Sequence, residues 1–141
     1  MSIVKVREKP APCATNRILV VDDQIRDVLK QVLELELPEC KVDVAVNGAE
    51  AVEMFRHAHH ALLLLDLHMA VMDGEKAFLE VDKFCAEQNW EMPAVVFLTA
   101  YDPSHRLQTT IRRLPRHCIL TKPVSNEILV EAIRSRLPKN S

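Results

Sequence analysis

The sequence predicts an α/β domain in which a parallel sheet of five strands is covered by helices on both faces. Short continuous apolar runs, typical of buried strands, alternate along the chain with segments whose apolar residues recur at helical spacing. Turn and helix-breaking residues such as Pro38, Asn47-Gly48 and Pro115 separate these segments. Strands that alternate with helices favour a parallel sheet, and right-handed crossovers bring the carboxyl ends of its strands to one edge.

Five strands and five helices account for the chain from residue 18 onwards. The predicted strands cover residues 18–21, 42–46, 61–65, 94–98 and 118–120. The third strand is the most apolar and is expected at the centre of the sheet, whereas the second alternates in polarity and is expected at an edge. Asn47 and Ser125 are expected to cap the second and last helices, and Asp102-Pro103 is expected to begin the fourth.

Composition narrows the class of protein. Of the 141 residues, 48% are apolar and 27% are charged, and the net charge is −2. These values are typical of a globular domain without a nucleic-acid or membrane surface. We expect residues 1–15 to form a flexible N-terminal segment, 16–137 the domain and 138–141 a C-terminal tail, with no output domain in the chain. One basic cluster is interpreted as a solvated helix end: Arg112, Arg113, Arg116 and His117.

Cysteine and histidine residues give no recognisable metal motif. The four cysteines are scattered along the chain and match no zinc spacing: Cys13, Cys40, Cys85 and Cys118. We therefore expect free thiols in a reducing compartment, the cytoplasm. The cluster at residues 57–60, HAHH, lies at a predicted helix end, and a helix-terminus role is favoured over a metal role.

Polar residues follow four of the five predicted strands. They are Asp22 and Asp23, Asp66, Thr99 and Lys122. Any one of them could be a turn or cap residue, but the carboxyl ends of parallel strands form the crevice where ligands bind, so we expect all five to converge. Three crowded carboxylates repel one another, and one lysine does not compensate them. A hard divalent cation such as Mg²⁺ would, and Asp66 could then serve as a nucleophile that forms an aspartyl phosphate.

Four motifs occur in order: ILVVDD at 18–23, LDLHMAVMDG at 65–74, LTA at 98–100 and LTKP at 120–123. With them, the chain resembles the receiver domains of bacterial response regulators from residue 16 to about 137. The resemblance implies a three-layer, flavodoxin-like (βα)5 fold with strand order 2-1-3-4-5. It also implies a switch in a two-component phosphorelay that changes partner binding and is not an enzyme beyond its own phosphotransfer and autodephosphorylation.

The resemblance further implies a role for each matching residue. Asp66 would accept the phosphoryl group from a histidine kinase or a phosphotransfer protein. Mg²⁺ would be the cofactor, with Asp23, Asp66 and the backbone carbonyl of His68 as ligands and Asp22 acting through water.

Lys122 would pair with the phosphoryl group, and Thr99 would move toward it. The peptide bond before Pro123 would be cis. His68 and Tyr101 flank the phosphoryl site and are expected to tune the lifetime of the aspartyl phosphate.

Several positions depart from the family pattern. Family members commonly have proline at Ala70, an aromatic residue or histidine at Ile119 and phenylalanine at Val124. The segment LPRH at 114–117 replaces a Gly-Ala lead into the fifth strand. None of these changes removes a phosphorylation residue, but Ile119 cannot supply an aromatic ring that swings inward when the threonine moves. The route by which the signal leaves the site is therefore left open.

The sequence alone does not exclude three other functional classes. A receiver-like interaction module that works without phosphorylation would fit Ile119. Hydrolases with an aspartyl nucleophile usually carry a second Asp two residues later, where this chain has His68. A flavin-binding protein of this topology would need a phosphate cradle where Asp22 and Asp23 place negative charge. The expected partners are proteins, including an unknown downstream target, and a weak homodimer is compatible with the fold.

Overall fold

The computed structural model describes residues 9–69, 71–100 and 103–138, in which five strands alternate with five helices. The strands are β1 (Ala14–Val21), β2 (Lys41–Ala45), β3 (His60–Asp66), β4 (Ala94–Thr99) and β5 (Cys118–Thr121). The helices are α1 (Arg26–Glu36), α2 (Gly48–Ala58), α3 (Gly74–Gln88), α4 (His105–Arg113) and α5 (Asn126–Arg134).

The strands form one parallel sheet in the order β2-β1-β3-β4-β5. This confirms the predicted flavodoxin-like topology, with β3 at the centre and β2 at an edge. The register pairs Val21 with Leu65 and Asp66 with Leu98, so the carboxyl ends of β1, β3 and β4 are level. Side chains that follow these strands therefore lie within reach of one another.

Helices cover both faces of the sheet and divide the core into two clusters. Every residue of β3 is buried, and its side chains alternate between the faces. Leu63 and Leu65 pack in the cluster that includes Phe55 of α2 and Phe78 of α3. On the other face, Leu62 and Leu64 belong to the cluster of α1 and α5 residues Leu33, Leu129 and Ile133. Burial of each such side chain contributes about 1.5–3 kcal/mol, which fixes β3 as the rigid centre of the molecule.

Four helices begin at a side-chain cap. The caps accept a hydrogen bond from the backbone N–H three residues later, and they are Asn47, Asp73, Ser104 and Ser125. The predicted caps Asn47 and Ser125 are confirmed. The fourth helix begins later than predicted, because Ser104 provides the cap; Asp102 lies outside the described residues. Each cap is worth about 1 kcal/mol.

The first strand begins earlier than the sequence pattern indicated. Residue 16, the predicted start of the domain, falls inside β1, and the Ala14 N–H donates to the carbonyl of His59. Ala11 forms an isolated parallel bridge with Trp90, donating to the carbonyl of Asn89 and accepting from the N–H of Glu91. The part of the N-terminal segment next to β1 is thus attached to the chain between α3 and β4, while residues 1–8 lie outside the described range.

His117 is buried, so its assignment to a solvated helix end is wrong. The side chain lies just before β5 at 6% exposure, and its Nδ1 accepts the backbone N–H of Val95 at 3.0 Å. The ring meets Phe78 edge-on at 5.3 Å. Burial lowers the pKa of His117 to about 4, with Arg116 and Arg136 adding to the effect. The neutral imidazole therefore serves as the hydrogen-bond acceptor for β4 at a point that β5 does not reach.

This burial predicts acid sensitivity. An unfolded histidine titrates near pH 6.5, so between about pH 6.5 and 4 the unfolded chain binds a proton that the folded His117 does not. Stability should be full above this window and fall as the pH drops through it, by up to about 3 kcal/mol from this residue. His60, whose pKa is also lowered by burial, adds loss of the same sign. Urea unfolding of the wild type between pH 7 and 4.5 measures the slope.

His117→Gln keeps a hydrogen-bond acceptor but does not titrate, so its stability should depend less steeply on pH. The matched control is His57→Gln, because the side chain of His57 is exposed. An unchanged slope in His117→Gln would contradict the assignment.

Candidate functional site

The carboxyl edge of the sheet gathers the acidic residues that follow β1 and end β3. Carboxylate oxygens of Asp22, Asp23 and Asp66 lie within 4.8 Å of one another. Among the described residues this is the one group of three or more His, Cys, Asp or Glu side chains that satisfies this distance. The convergence follows from the register, because Val21 and Leu65 are paired immediately before the acidic residues.

The two carboxylate oxygens of Asp22 have different roles, one in the backbone structure of α1 and one at the acidic cluster. It is 1% exposed, and its Oδ1 accepts the backbone N–H groups of Gln24 and Ile25 at 2.8 and 2.9 Å, which fixes the start of α1. Its Oδ2 lies 3.3 Å from Lys122 Nζ. Asp23, by contrast, is exposed. One oxygen of Asp22 is thus committed to the backbone, and the other faces the acidic cluster.

Asp66 ends the buried central strand at 6% exposure. Its Oδ1 accepts the backbone N–H of His68 at 3.0 Å, and its Oδ2 lies 3.5 Å from Lys122 Nζ. Burial raises the pKa of the Asp66 carboxyl, and the neighbouring Asp22 charge raises it further, while the His68 N–H and Lys122 act in the opposite direction. The ionised form is therefore stabilised only in part by the protein itself.

Lys122 is shared by two carboxylates. Its Nζ lies 3.3 Å from Asp22 and 3.5 Å from Asp66, and the side chain is 27% exposed. The backbone N–H of Lys122 donates to the carbonyl of Thr99 at 2.7 Å, and the bond to Pro123 is cis, as the resemblance implies. The end of β5 is thereby held against the end of β4, with the ammonium group directed at the acidic cluster.

Thr99 and His68 lie beside these residues. Thr99 is the last residue of β4 and is fully buried. His68 is exposed, and it is its backbone N–H that reaches Asp66. Tyr101 and Ala70, the other positions considered from the sequence, lie outside the described residues.

Gly74, the last residue of the LDLHMAVMDG motif, holds the loop close to Asp66. A Cβ atom on Gly74 would lie 2.5 Å from the Asp66 carbonyl oxygen and 3.1 Å from Leu67 Cα. The Gly74 N–H also donates to the Leu67 carbonyl at 3.3 Å. Only glycine fits this approach, so the loop after β3 can return directly beneath the acidic residue.

A second contact, between the start of α3 and the start of α4, joins the loops around the site. Glu75, in the first turn of α3, accepts from Ser104 Oγ at 3.1 Å and lies 3.4 Å from Arg106 Nε. These residues connect the start of α3 to the start of α4 beside a groove that His68 also lines. No spacing pattern predicts such a contact, because the partners are about thirty residues apart.

The three histidine side chains of the cluster at 57–60 lie in separate environments in the structure. His57 is exposed, and its Nδ1 lies 3.1 Å from the carbonyl of Glu53 in its own helix. His59 is the left-handed residue that ends α2. His60 is fully buried and bonds Asp43 through Nε2 at 2.8 Å. The three rings face different surroundings, and they do not form a common site.

The donor set at the carboxyl edge fits a hard divalent cation. Its ligands are carboxylate oxygens, which Mg²⁺ prefers, and three acidic groups exceed the charge of Lys122. The negative charge of Asp66 is only partly offset by Lys122 and the His68 N–H, and a bound cation would stabilise the ionised carboxylate further.

Of the described helices, none is both long and apolar enough to cross a membrane.

Comparison with known proteins agrees with this geometry. Residues 18–134 match the family model of the response regulator receiver domain. The chain is 28% identical over 119 residues to the chemotaxis protein CheY of Halobacterium salinarum, covering 83% of this chain and 92% of that protein. It is 32% identical over 123 residues to the probable transcriptional regulator ycf27 of Porphyridium aerugineum, covering 86% of this chain but 48% of the regulator.

Solved structures show the same fold. The chemotaxis protein CheY4 of Vibrio cholerae superposes with a TM-score of 0.65 at 23% identity, covering 88% of this chain and all of that one. The match of residues 18–134 to the family model establishes that the chain belongs to the response regulator receiver family of two-component signalling proteins.

Proposed function

We propose that Asp66 accepts a phosphoryl group from a histidine kinase or a phosphotransfer protein, and that its phosphorylation state changes the affinity of this chain for a downstream protein. The observation that carries the proposal is the placement of Asp66. Its carboxylate ends the rigid central strand, lies within 4.8 Å of two further carboxylates and faces the ammonium group of Lys122. The same protein would act as a switch, with no enzymatic activity other than its own phosphotransfer and dephosphorylation.

In the transfer step, an Asp66 oxygen forms a bond to phosphorus as the bond from phosphorus to the donor imidazole nitrogen breaks. The His68 N–H fixes the orientation of the Asp66 carboxylate through Oδ1. The Lys122 ammonium group, whose Nζ lies 3.5 Å from Asp66 Oδ2, can pair with the carboxylate before the transfer and with the phosphoryl oxygens after it. These groups are in place before the donor arrives, so little reorganisation is needed.

Mg²⁺ fits the same residues. Asp23, Asp66 and the His68 carbonyl would hold it, and Asp22 would contribute through a water because one of its oxygens already binds the start of α1. When bound, the ion supplies positive charge to the equatorial phosphoryl oxygens.

Phosphorylation adds about −1.5 to −2 charges at this edge and biases a pre-existing equilibrium. Thr99 can respond because its hydroxyl lies at the end of the strand next to Asp66, and the Lys122 N–H couples any displacement of its carbonyl to β5. Ile119 is partly buried against the α2–α3–α4 core cluster and pairs with Phe97. We therefore assign the output to a shift of α4 and β5 rather than to a rotating aromatic ring.

The proposal also includes the cellular compartment, the bounds of the functional domain and its partners. We place the chain in the cytoplasm, where its four cysteines would stay as the free thiols seen in the structure. We propose that the functional domain extends from the start of β1 at Ala14 to about residue 137, two residues earlier than the sequence pattern indicated. Its proposed partners are proteins, and a weak homodimer is compatible with the fold.

The Asp66→Asn substitution should abolish phosphorylation by acetyl phosphate or by a kinase, because an amide is not a nucleophile of this kind. Phosphate-affinity gel electrophoresis measures the modified fraction. Asp82→Asn is the matched control, since Asp82 is an exposed residue of α3, and it should be modified like the wild type. Equal modification of Asp66→Asn would contradict the assignment. A wild type that is never modified would instead favour an interaction module that does not use phosphorylation.

The Asp23→Asn substitution should weaken Mg²⁺ binding by roughly tenfold or more, because it removes one negatively charged oxygen ligand. Titration calorimetry at pH 7.5 measures the change, with Asp27→Asn as an exposed control in the first turn of α1. Because the pKa of the Asp66 carboxyl is raised, this ligand should become protonated earlier on acidification than an ordinary carboxylate. The affinity of the wild type for Mg²⁺ should therefore begin to fall, as the pH is lowered, at a pH above the usual carboxyl range. Unchanged affinity in Asp23→Asn would rule out this residue as a ligand.

A further inference from the structure

Arg26, the first residue of α1, reaches back over the turn that carries two of the three carboxylates. Its Nη1 donates to the backbone carbonyls of Asp22 and Asp23 at 3.4 and 3.2 Å. The Asp22 side chain closes the same turn from the other side, since its Oδ1 accepts the N–H groups of Gln24 and Ile25. We call this segment, from Asp22 to Arg26, the acidic turn.

Helix α1 depends on the acidic turn because it begins without a side-chain cap. Its N-cap residue is Ile25, whereas each of the other four described helices is capped by an Asn, Asp or Ser side chain. Arg26 also lies in the first turn of the helix, where a positive charge interacts unfavourably with the helix dipole. The dipole therefore disfavours an arginine at this position, and the two carbonyl contacts offset this effect.

Asp23 is the carboxylate at the site whose direction depends most on its own backbone. The Asp22 carboxylate is held by two N–H groups and Lys122, and that of Asp66 by the His68 N–H and Lys122. Within the described ranges, no hydrogen bond or ion pair joins the Asp23 carboxylate to another residue. One of its oxygens nevertheless lies within 4.8 Å of those of Asp22 and Asp66. The position of this oxygen is therefore set through the Asp23 backbone.

We propose that Arg26 is a positioning residue for the cation site. By holding the carbonyls of Asp22 and Asp23, it fixes the backbone from which the Asp23 carboxylate reaches the ion. Arg26 acts through Asp23 and does not itself touch the ion. The role rests on the proposed function, in which Asp23 is a direct Mg²⁺ ligand, and it adds to that function a residue outside the ligand set.

Charge and position make opposite predictions for this arginine. If Arg26 acted only through its charge, it would repel a nearby cation, and its removal would strengthen Mg²⁺ binding. If Arg26 orients Asp23, its removal leaves the ligand turned away from the ion for part of the time, which weakens binding. The sign of the change in Mg²⁺ affinity therefore separates the two roles.

Titration calorimetry of Mg²⁺ into the Arg26→Met protein at pH 7.5 tests the proposal. Methionine keeps an unbranched stem but has neither charge nor donor, so the affinity should fall by roughly threefold, because the ligand is misdirected rather than lost. Lys30→Met is the matched control. Lys30 lies one turn further along α1, and it takes part in none of the hydrogen bonds that close the acidic turn. This variant loses the same charge and should bind Mg²⁺ as tightly as the wild type or slightly more tightly.

A double-mutant cycle with Asp23→Ala shows whether Arg26 acts through Asp23. Once the Asp23 ligand is gone, Arg26→Met should no longer weaken Mg²⁺ binding. An equal loss of affinity with and without the Asp23 carboxylate would overturn the proposal. So would an Arg26→Met single variant that binds Mg²⁺ as tightly as the wild type or more tightly.

Two controls keep the outcomes apart. Circular dichroism and urea unfolding without Mg²⁺ separate a displaced ligand from a lost fold, and Arg26→Gln, with a shorter uncharged side chain, is a second variant that should also bind more weakly. A wild type that binds no Mg²⁺ would overturn the proposed ligand set and this role together. Wild-type binding that is unchanged in both Arg26 variants would overturn the role of Arg26 alone.

Discussion

Three carboxylates and one ammonium group meet at the carboxyl edge of the sheet, and the balance of their charges constrains everything else at the site. Asp22 and Asp66 are buried and share Lys122 at 3.3 and 3.5 Å, while Asp23 adds a third negative charge from a more exposed position. One ammonium group does not neutralise this set, so the site favours a cation. In the proposed function, a bound cation would also offset the negative charge of the incoming phosphoryl group.

The fold supplies the rigidity that this balance requires. Asp66 is carried by a strand that is buried on both faces, and Gly74 allows the following loop to return against its carbonyl. The contact between the Lys122 N–H and the Thr99 carbonyl ties the neighbouring strands together. By comparison, α4 buries Leu107, while Leu114 just beyond it is exposed. A change at the site can therefore displace α4 at lower cost than it can displace β3.

Sequence patterns predicted the fold and the convergence of polar residues because both depend on order along the chain. Alternating elements imply a parallel sheet, and a parallel sheet implies that Asp22 and Asp66 end at one edge. Packing between distant elements has no such signature. The basic residues beside His117 in the sequence indicate a solvated helix end, and this prediction is wrong for His117. Its side chain is buried and accepts a hydrogen bond from the backbone of β4.

The contacts around the Glu91 carbonyl could not be predicted from the sequence for the same reason. Cys13 and Cys85 are far apart in the chain, and only the strand register and the bridge between Ala11 and Trp90 bring them to one carbonyl. The histidine cluster at 57–60 shows the opposite case: His57 lies in the last turn of α2 and His59 ends that helix, in line with the favoured helix-terminus role, and the adjacent side chains face different surroundings. Side chains that are neighbours in the sequence thus lie in separate environments, whereas side chains that are distant in the sequence contact the same group.

Reductive trapping of the phosphorylated protein tests the central claim most directly. Borohydride converts an aspartyl phosphate into homoserine, and peptide mass spectrometry then locates the altered residue. We expect homoserine at position 66 after phosphotransfer in the presence of Mg²⁺, with Asp22, Asp23 and Asp73 unmodified. Homoserine at one of those three positions with Asp66 intact would contradict it.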